Sequence, residues 1–208
     1  MVFETGWLGS LEWAVAGRAL PGETVSGDAG IVLETGGLAL VGAIDGLGHG
    51  PAAAEAAEHA TKILTQHPGD PLETLFELCH QAMEGTRGGA MTLARIDVAA
   101  GTVSWLGIGN VAAYVMRTGP THSVVAHAVM LRGGIIGYRL PTPLMARDSE
   151  MLPGDLLLIG TDGLSSGFED SVDLGAPTGQ LVTDILDECA KDTDDALVMA
   201  VRNRGPSR

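Results

Sequence analysis

A chain of 208 residues is long enough for one large domain, and 45% of its residues are hydrophobic against 18% that are charged. This composition excludes a disordered chain. The formal net charge of −14 excludes nucleic acid and anionic membranes as partners, because the sequence has no basic stripe to neutralise their phosphates. Nothing in it resembles a linker or a repeat, so we expect a single domain over residues 1–208.

The N-terminus and the cysteines indicate the cellular compartment. The first ten residues lack the basic start and the apolar segment of a signal peptide, and no apolar run approaches the roughly 20 residues that span a bilayer. Cys79 and Cys189 each lie in a helical pattern, where we expect buried free thiols in a reducing environment. The sequence therefore predicts a cytoplasmic protein without membrane association, and we expect it to be a monomer.

Three strands are predicted before the first helix. Residues 11–20 form the first strand, and residues 29–45 form a hairpin that turns at residues 35–37, where two glycines stand together. The apolar run that ends this hairpin leads directly into the segment DGLGHG. Glycines at such an exit permit unusual backbone angles and let another group approach the main chain closely.

Two helices follow the hairpin. Pro51 is typical of a first helical position, and an alanine-rich face at helical spacing follows it. The second helix is predicted to begin at Asp70 and Pro71, with Asp70 as the cap and Glu73 reaching back to complete a capping box.

The period of the sequence changes to two after these helices. Four successive strands, a fully apolar strand, a helix and a last strand are predicted, at residues 90–98, 102–109, 112–117, 123–130, 153–164, 178–190 and 196–202. Helices that interrupt a series of antiparallel strands indicate an α+β protein, with the helices packed on the outer faces of its sheets.

Acidic residues stand at the ends of four apolar strands. Asp28 and the pair Asp194 and Asp195 come just before a strand, whereas Asp45 and Asp162 come just after one. Strand ends at one edge of a sheet can converge, and carboxylates that converge repel one another. A hard divalent cation relieves that repulsion, and oxygen ligands suit Mg²⁺ or Mn²⁺. The pattern therefore predicts a metal site.

The segments SGD, DGLGHG, TDG and DDA, in this order, resemble the PPM (type 2C) family of metal-dependent protein serine/threonine phosphatases. Within the family, the compact size and the DGLGHG form are most similar to small bacterial phosphatases of the RsbX type, which act on stressosome components. Sporulation-type phosphatases that act on an anti-anti-sigma factor are the next most similar. The resemblance implies a four-layer αββα sandwich of two antiparallel β-sheets flanked by helices.

The resemblance also implies two divalent ions, Mn²⁺ or Mg²⁺, and a role for each acid near the second ion. Asp45 would bridge both ions, and the backbone carbonyl of Gly46 would bind the second. Asp28 would support that second ion, usually through water. The resemblance thus explains why the chain places glycines after Asp45, since a main-chain oxygen must act as a ligand.

The first ion is expected to lie between the last two acidic segments. Asp162 and Asp194 would hold it, and Asp195 is the alternative if the register is shifted by one residue. Two ions about 3.5–4 Å apart share a water molecule, lower its pKa and neutralise the charge on the phosphoryl oxygens during displacement.

His49 is the ambiguous residue of the expected site. The catalytic residues are predicted to be Asp45, Asp28 and His49, with His49 as a general acid for the leaving serine oxygen. His49 could equally have a structural role, capping the following helix or binding its own turn. Arg18 is the only nearby candidate for the arginine that grips phosphate in many eukaryotic relatives, and its register does not match theirs.

The leading hypothesis is a phosphatase that acts on a phosphorylated protein of the stressosome or of the anti-anti-sigma type. Two alternatives stay open: a binding module that kept the fold and lost turnover, and a hydrolase of small phosphoesters.

Overall fold

The computed structural model describes residues 1–119 and 122–205, which contain twelve strands, three α-helices and a short 3-10 helix at Phe168–Ser171. The strands are β1 (Val2–Leu8), β2 (Leu11–Arg18), β3 (Asp28–Thr35), β4 (Leu38–Gly46), β5 (Gly89–Asp97), β6 (Thr102–Ile108), β7 (Ala112–Thr118), β8 (Ser123–Ala128), β9 (Leu131–Arg132), β10 (Arg147–Glu150), β11 (Leu156–Gly160) and β12 (Ala196–Asn203). The helices are α1 (Pro51–Gln66), α2 (Leu72–Ala82) and α3 (Thr178–Cys189).

The strands form two sheets. The first sheet has the order β1-β2-β12-β11-β7-β8, and the second has the order β10-β6-β5-β4-β3. The pairings along both orders are antiparallel, and the two-residue β9 adds a parallel pairing to β6. The strands β11 and β12 are neighbours in the first sheet. The last two predicted acidic segments therefore lie at the ends of adjacent strands.

Three apolar clusters hold the layers together. The first lies between the sheets and includes the buried side chains of Trp105 and Met199. The second joins α1 and α2 to the second sheet, with Phe76 fully buried, and the third joins α3 to the first sheet, with Ile185 buried. The predicted α+β architecture, a four-layer sandwich with helices on both outer faces, is confirmed.

The structure differs from the sequence-based prediction in three strands. The prediction missed β1, β9 and β10. Most side chains of β1 are exposed, and β10 has the sequence RDSE, so neither strand carries an apolar alternation that could reveal it. Backbone pairing along a strand that already exists, β2 for β1 and β6 for β10, creates both.

The predicted capping box of the second helix is wrong. The N-cap of α2 is Pro71, and no side chain makes a capping hydrogen bond there. Glu73 does not reach back, because its Oε1 accepts a hydrogen bond from the backbone N–H of Ala146 at 2.7 Å. A tertiary contact has replaced the local one. No helix in the described ranges is long and apolar enough to cross a membrane.

Candidate metal centre

The segment that opens the site is the end of β4. Asp28 and Asp45 are register partners on β3 and β4, so the hairpin itself brings their carboxyl groups to one corner of the sandwich. Gly46 follows, and α1 lies so close that a Cβ atom there would come within 2.2 Å of the carbonyl oxygen of Ala53. Only glycine allows this approach, which places the start of α1 against the acidic corner.

Both carboxyl groups of the hairpin have pKa values above the usual value of an aspartate. Burial raises the pKa of Asp28 well above its usual value, and the nearby Asp45 raises it further. The hydroxyl of Thr161, which donates to Asp28 Oδ2 at 2.7 Å, opposes this rise. The pKa of Asp45 is raised to about 7, first by burial and then by the charges of Asp162, Asp194 and Asp195.

Asp162 lies at the exit of β11 with its side chain exposed. The side-chain amide of Asn110 donates to its Oδ2 at 2.5 Å, and the ammonium group of Lys191 donates to its backbone carbonyl at 2.6 Å. After burial, the charge of Asp162 is the next cause of the raised pKa of Asp45, so the two carboxyl groups lie near each other. The hairpin corner and the end of β11 therefore meet.

The acid pair before β12 divides into two different environments. Asp195 is buried, and its two oxygens accept the backbone N–H groups of Leu20 at 2.7 Å and Gly27 at 2.6 Å. Asp194 is partly exposed and accepts only the N–H of Asp195, at 2.9 Å, among the described residues. Burial raises the pKa of Asp194, and the charges of Asp162 and Asp195 add to the rise. Asp194 thus presents a carboxylate oxygen to the corner, whereas Asp195 holds the loop between β2 and β3.

His49 has a partner that the sequence did not reveal. Its Nδ1 lies 2.7 Å from Oε1 of Glu23, in the loop between β2 and β3. Gly50 is the N-cap of α1, and no side chain makes a capping hydrogen bond there, so the expected helix-capping role of His49 is not observed. Burial above all raises the pKa of Asp194, and a charge on the imidazole of His49 opposes that rise; the ring stands on the loop between the end of β4 and α1.

Among the residues that the structure describes, the acids of the corner have no lysine or arginine partner. Within residues 1–119 and 122–205, no lysine or arginine forms an ion pair with Asp28, Asp45, Asp162 or Asp194. The same ranges hold no group of three or more His, Cys, Asp or Glu side chains that could hold a metal ion in the arrangement described. Hydrogen bonds from neutral groups, rather than salt bridges, organise the corner.

Three residues at the corner lay outside the sequence-based prediction. Thr161 belongs to the segment TDG and Asn110 stands just before β7, but only the packing of the strands shows that they contact Asp28 and Asp162. Arg87 lies in a glycine-rich loop, and its guanidinium rests against Gly48, within 2.8 Å of where a Cβ atom would be. No spacing in the sequence indicates any of these contacts.

Arg18 does not face the corner as a free cation. Its guanidinium donates to the backbone carbonyls of Ala190 and Lys191 and to the carboxylate of Asp192. These contacts tie β2 to the loop before β12 and occupy the Arg18 guanidinium.

A β-sandwich covered by helices on both faces, with acids gathered at strand ends on one corner, defines the class of type 2C phosphatase domains. The chain belongs to the Stage II sporulation protein E (SpoIIE) family of that class, whose family model matches residues 35–206. No curated protein matches the chain in sequence.

Solved structures agree with this assignment. A protein from work on the bacterial stressosome, described as a modular system adapted to control secondary messenger signaling, is 31% identical; the match covers 92% of this chain and 99% of that one, with a TM-score of 0.82. RsbX in complex with magnesium is 18% identical over 96% and 98% of the two chains, with a TM-score of 0.80. The catalytic domain of the serine/threonine protein phosphatase PstP in complex with two manganese ions is 15% identical over 92% and 97%, with a TM-score of 0.66.

Proposed function

We propose that this protein is a Mn²⁺- or Mg²⁺-dependent protein serine/threonine phosphatase that dephosphorylates regulatory proteins of a bacterial stress-signalling complex. One observation carries the proposal. Four strand ends bring carboxyl groups to one corner, two of them with strongly raised pKa values, and no cationic side chain of the described residues pairs with them.

The donors at the corner fit hard divalent cations. The four carboxyl groups of the corner, on Asp28, Asp45, Asp162 and Asp194, offer oxygen, which Mg²⁺ and Mn²⁺ prefer. Burial and the neighbouring acids raise the pKa of Asp28 and of Asp45, and a cation at the corner would oppose both rises, because metal binding requires the deprotonated ligand. The magnesium of the RsbX structure and the manganese of the PstP structure support the same cations for this fold.

We assign the acids as ligands to two metal sites. Asp45 would contact both ions, and the backbone carbonyl of Gly46 and, through water, Asp28 would complete the second site. Asp162 and Asp194 would hold the first ion. Asp195 is not part of the proposed set, because its oxygens already accept two backbone N–H groups.

When bound, two such ions lower the pKa of a shared water molecule and neutralise the charge that builds on the phosphoryl oxygens. The residues of the chain itself then orient the ligands. Thr161 fixes the Asp28 carboxylate and Asn110 fixes that of Asp162, so both are held before a cation arrives. His49 lies beside the corner, from where its imidazolium can protonate the leaving serine oxygen.

Two cations on the rim fit a phosphorylated protein as substrate. Arg87 lies on one side of the corner, over the turn at Gly48, and Lys191 on the other, over the backbone of Asp162. On a chain with a net charge of −14, these are the groups that can attract a phosphoryl group. The guanidinium of Arg87 can bind a phosphoryl oxygen pair in a bidentate way, since it donates no hydrogen bond to a described residue.

The partner class is proposed from the relatives. The 31% identical protein comes from work on the bacterial stressosome, and RsbX is the small phosphatase that covers nearly the whole chain. A phosphoserine or phosphothreonine of a stressosome protein is therefore the first substrate to test, and a phosphorylated anti-anti-sigma factor is the second.

The test uses metal-free protein to which Mn²⁺ or Mg²⁺ is returned. We expect phosphate release from a phosphorylated stressosome protein only with the metal, and weaker release from p-nitrophenyl phosphate. Equal or better turnover of small metabolite phosphoesters would contradict a protein substrate. Metal binding by calorimetry without turnover on any substrate would indicate a binding module instead.

A further inference from the structure

We propose that Glu23 is a positioning residue that fixes the imidazole of His49 toward the acidic corner. The inference rests on the proposed phosphatase function, in which His49 protonates the leaving oxygen. It assigns a role to residues 19–25 of the loop between β2 and β3, which carry no motif.

The contact itself is short and specific. Nδ1 of His49 lies 2.7 Å from Oε1 of Glu23, with 49% and 28% of the two side chains exposed. A carboxylate can only accept, so Nδ1 carries a hydrogen in this contact. The other ring nitrogen, Nε2, makes no hydrogen bond to a described residue. In histidine sites, the hydrogen bond made by one nitrogen decides what the other can do.

The loop that carries Glu23 is fastened at both ends. Asp195, buried at the start of β12, accepts the N–H of Leu20 through one oxygen and that of Gly27 through the other. Within the loop, the N–H of Glu23 donates to the carbonyl of Leu20 at 2.9 Å, which closes a turn. Three hydrogen bonds therefore fix the backbone on which the Glu23 side chain stands.

The carboxylate of Glu23 is also held against the start of α1. Gly50 has a φ of +74°, and a Cβ atom there would lie 2.9 Å from Oε2 of Glu23. The carboxylate thus packs on the main chain immediately after His49, and any other residue at Gly50 would displace it. The loop between β2 and β3 on one side and the start of α1 on the other therefore fix the position of the Glu23 carboxylate, and with it that of the His49 ring.

The ring held in this way lies beside the corner. His49 lies on the loop that leads from Asp45 and Gly46, at the end of β4, to α1, and the start of α1 packs directly against Gly46. In the proposed step, Nε2–H of the imidazolium transfers its proton to the serine oxygen as the bond from phosphorus to that oxygen breaks and the bond to the attacking water oxygen forms. Nε2 is left with its lone pair and regains a proton from solvent, while Nδ1–H stays with Glu23.

The kinetic test is a double-mutant cycle with two leaving groups. Glu23→Ala is expected to lower kcat on a phosphoserine protein by about 10-fold, with little change on p-nitrophenyl phosphate, whose leaving group needs no proton. In a His49→Ala background the same substitution should have no further effect, because residues that act as a unit are not additive. Glu23→Gln keeps an acceptor oxygen and should restore most of the rate.

The second readout does not need turnover. In metal-free protein, nitrogen NMR of His49 should show Nδ1–H in the neutral ring of the wild type and a shift toward Nε2–H in Glu23→Ala. Glu55→Gln, an exposed change on α1, is the matched control and should alter neither readout.

The outcomes separate the two proposals. An unchanged tautomer in Glu23→Ala, or equal rate losses on both substrates together with a lower melting temperature, would overturn the positioning role and leave the phosphatase function standing. A wild type that binds Mn²⁺ but releases phosphate from neither substrate would overturn the function and, with it, the reaction that Glu23 serves.

Discussion

Replacing Asp45 by asparagine separates the stability of the acidic corner from its function. The pKa of the Asp45 carboxyl rises from 3.8 to about 7 on folding, first because of burial and then because of neighbouring acids. A folded-state pKa above the unfolded value means that Asp45 stays protonated to a higher pH in the folded protein than in the unfolded chain. The contribution of Asp45 to the free energy of unfolding is therefore most favourable below pH 3.8, falls as the pH rises toward 7 and stays low above it.

The size of this loss follows from the same pKa values. At about 1.36 kcal/mol for each pKa unit, the ionised Asp45 costs the metal-free protein at most about 4 kcal/mol above pH 7. The side-chain amide of the Asp45→Asn variant cannot ionise and escapes that cost. We therefore expect the metal-free variant to be more stable than the wild type at pH 8 and to differ little at pH 4, while its phosphatase activity is lost.

Urea unfolding in the presence of a chelator at pH 4 and pH 8 measures this difference. Asp187→Asn, an exposed change of the same charge on α3, is the control and should follow the wild type at both pH values. Returning Mn²⁺ at 100 times its dissociation constant should add about 2.7 kcal/mol to the wild type at pH 8 and little to Asp45→Asn. If wild type and Asp45→Asn lose stability in parallel between pH 4 and pH 8, the electrostatic account of the corner is wrong.

Other substitutions probe the remaining parts of the corner. Asp162→Asn and Asp194→Asn should each weaken Mn²⁺ binding in calorimetry, with the double variant little worse than either, and a silent Asp194→Asn would show that the assignment within the acid pair is wrong. Asp195→Ala leaves two backbone N–H groups without their acceptor and should lower the free energy of unfolding by about 2 kcal/mol or more; an unchanged urea midpoint would refute the clamp. Arg87→Ala should raise KM for the phosphoprotein about 10-fold at an unchanged melting temperature, whereas Arg147→Ala on β10 should not; equal KM values for both variants would remove Arg87 from the site.

The parts of the fold that the sequence predicts are those whose signal is local. The hairpin of β3 and β4 is predicted because its apolar residues and its glycine pair lie within seventeen positions of each other. By contrast, β10 reads RDSE and is a strand only because β6 lies beside it. The failed capping box at Glu73 has the same cause, since a backbone N–H from a distant loop competes for its carboxylate.

The acids of the candidate site could be found from the sequence, whereas the groups that orient them could not. The acids stand at strand ends within recognisable motifs, and a resemblance orders them. The hydroxyl of Thr161 contacts Asp28 across a sequence separation of 133 residues, and the clamp from Asp195 to Gly27 spans 168. Such pairs are set by the order of strands in the first sheet and by the packing of one sheet on the other, and no periodicity encodes them.

The way in which the corner is organised follows from a conflict between stability and cation binding. Salt bridges to lysine or arginine would stabilise ionised carboxylates, but they would also occupy the oxygens and cancel the charge that attract a divalent ion. Neutral donors such as Thr161 and Asn110 fix the direction of a carboxylate without cancelling its charge. The cost of unneutralised acids then falls on the metal-free protein, where burial first and the charges of neighbouring acids second raise the pKa of Asp45. The available cations, Arg87 and Lys191, are displaced to the rim, where they can meet a phosphoryl group without competing for the metal.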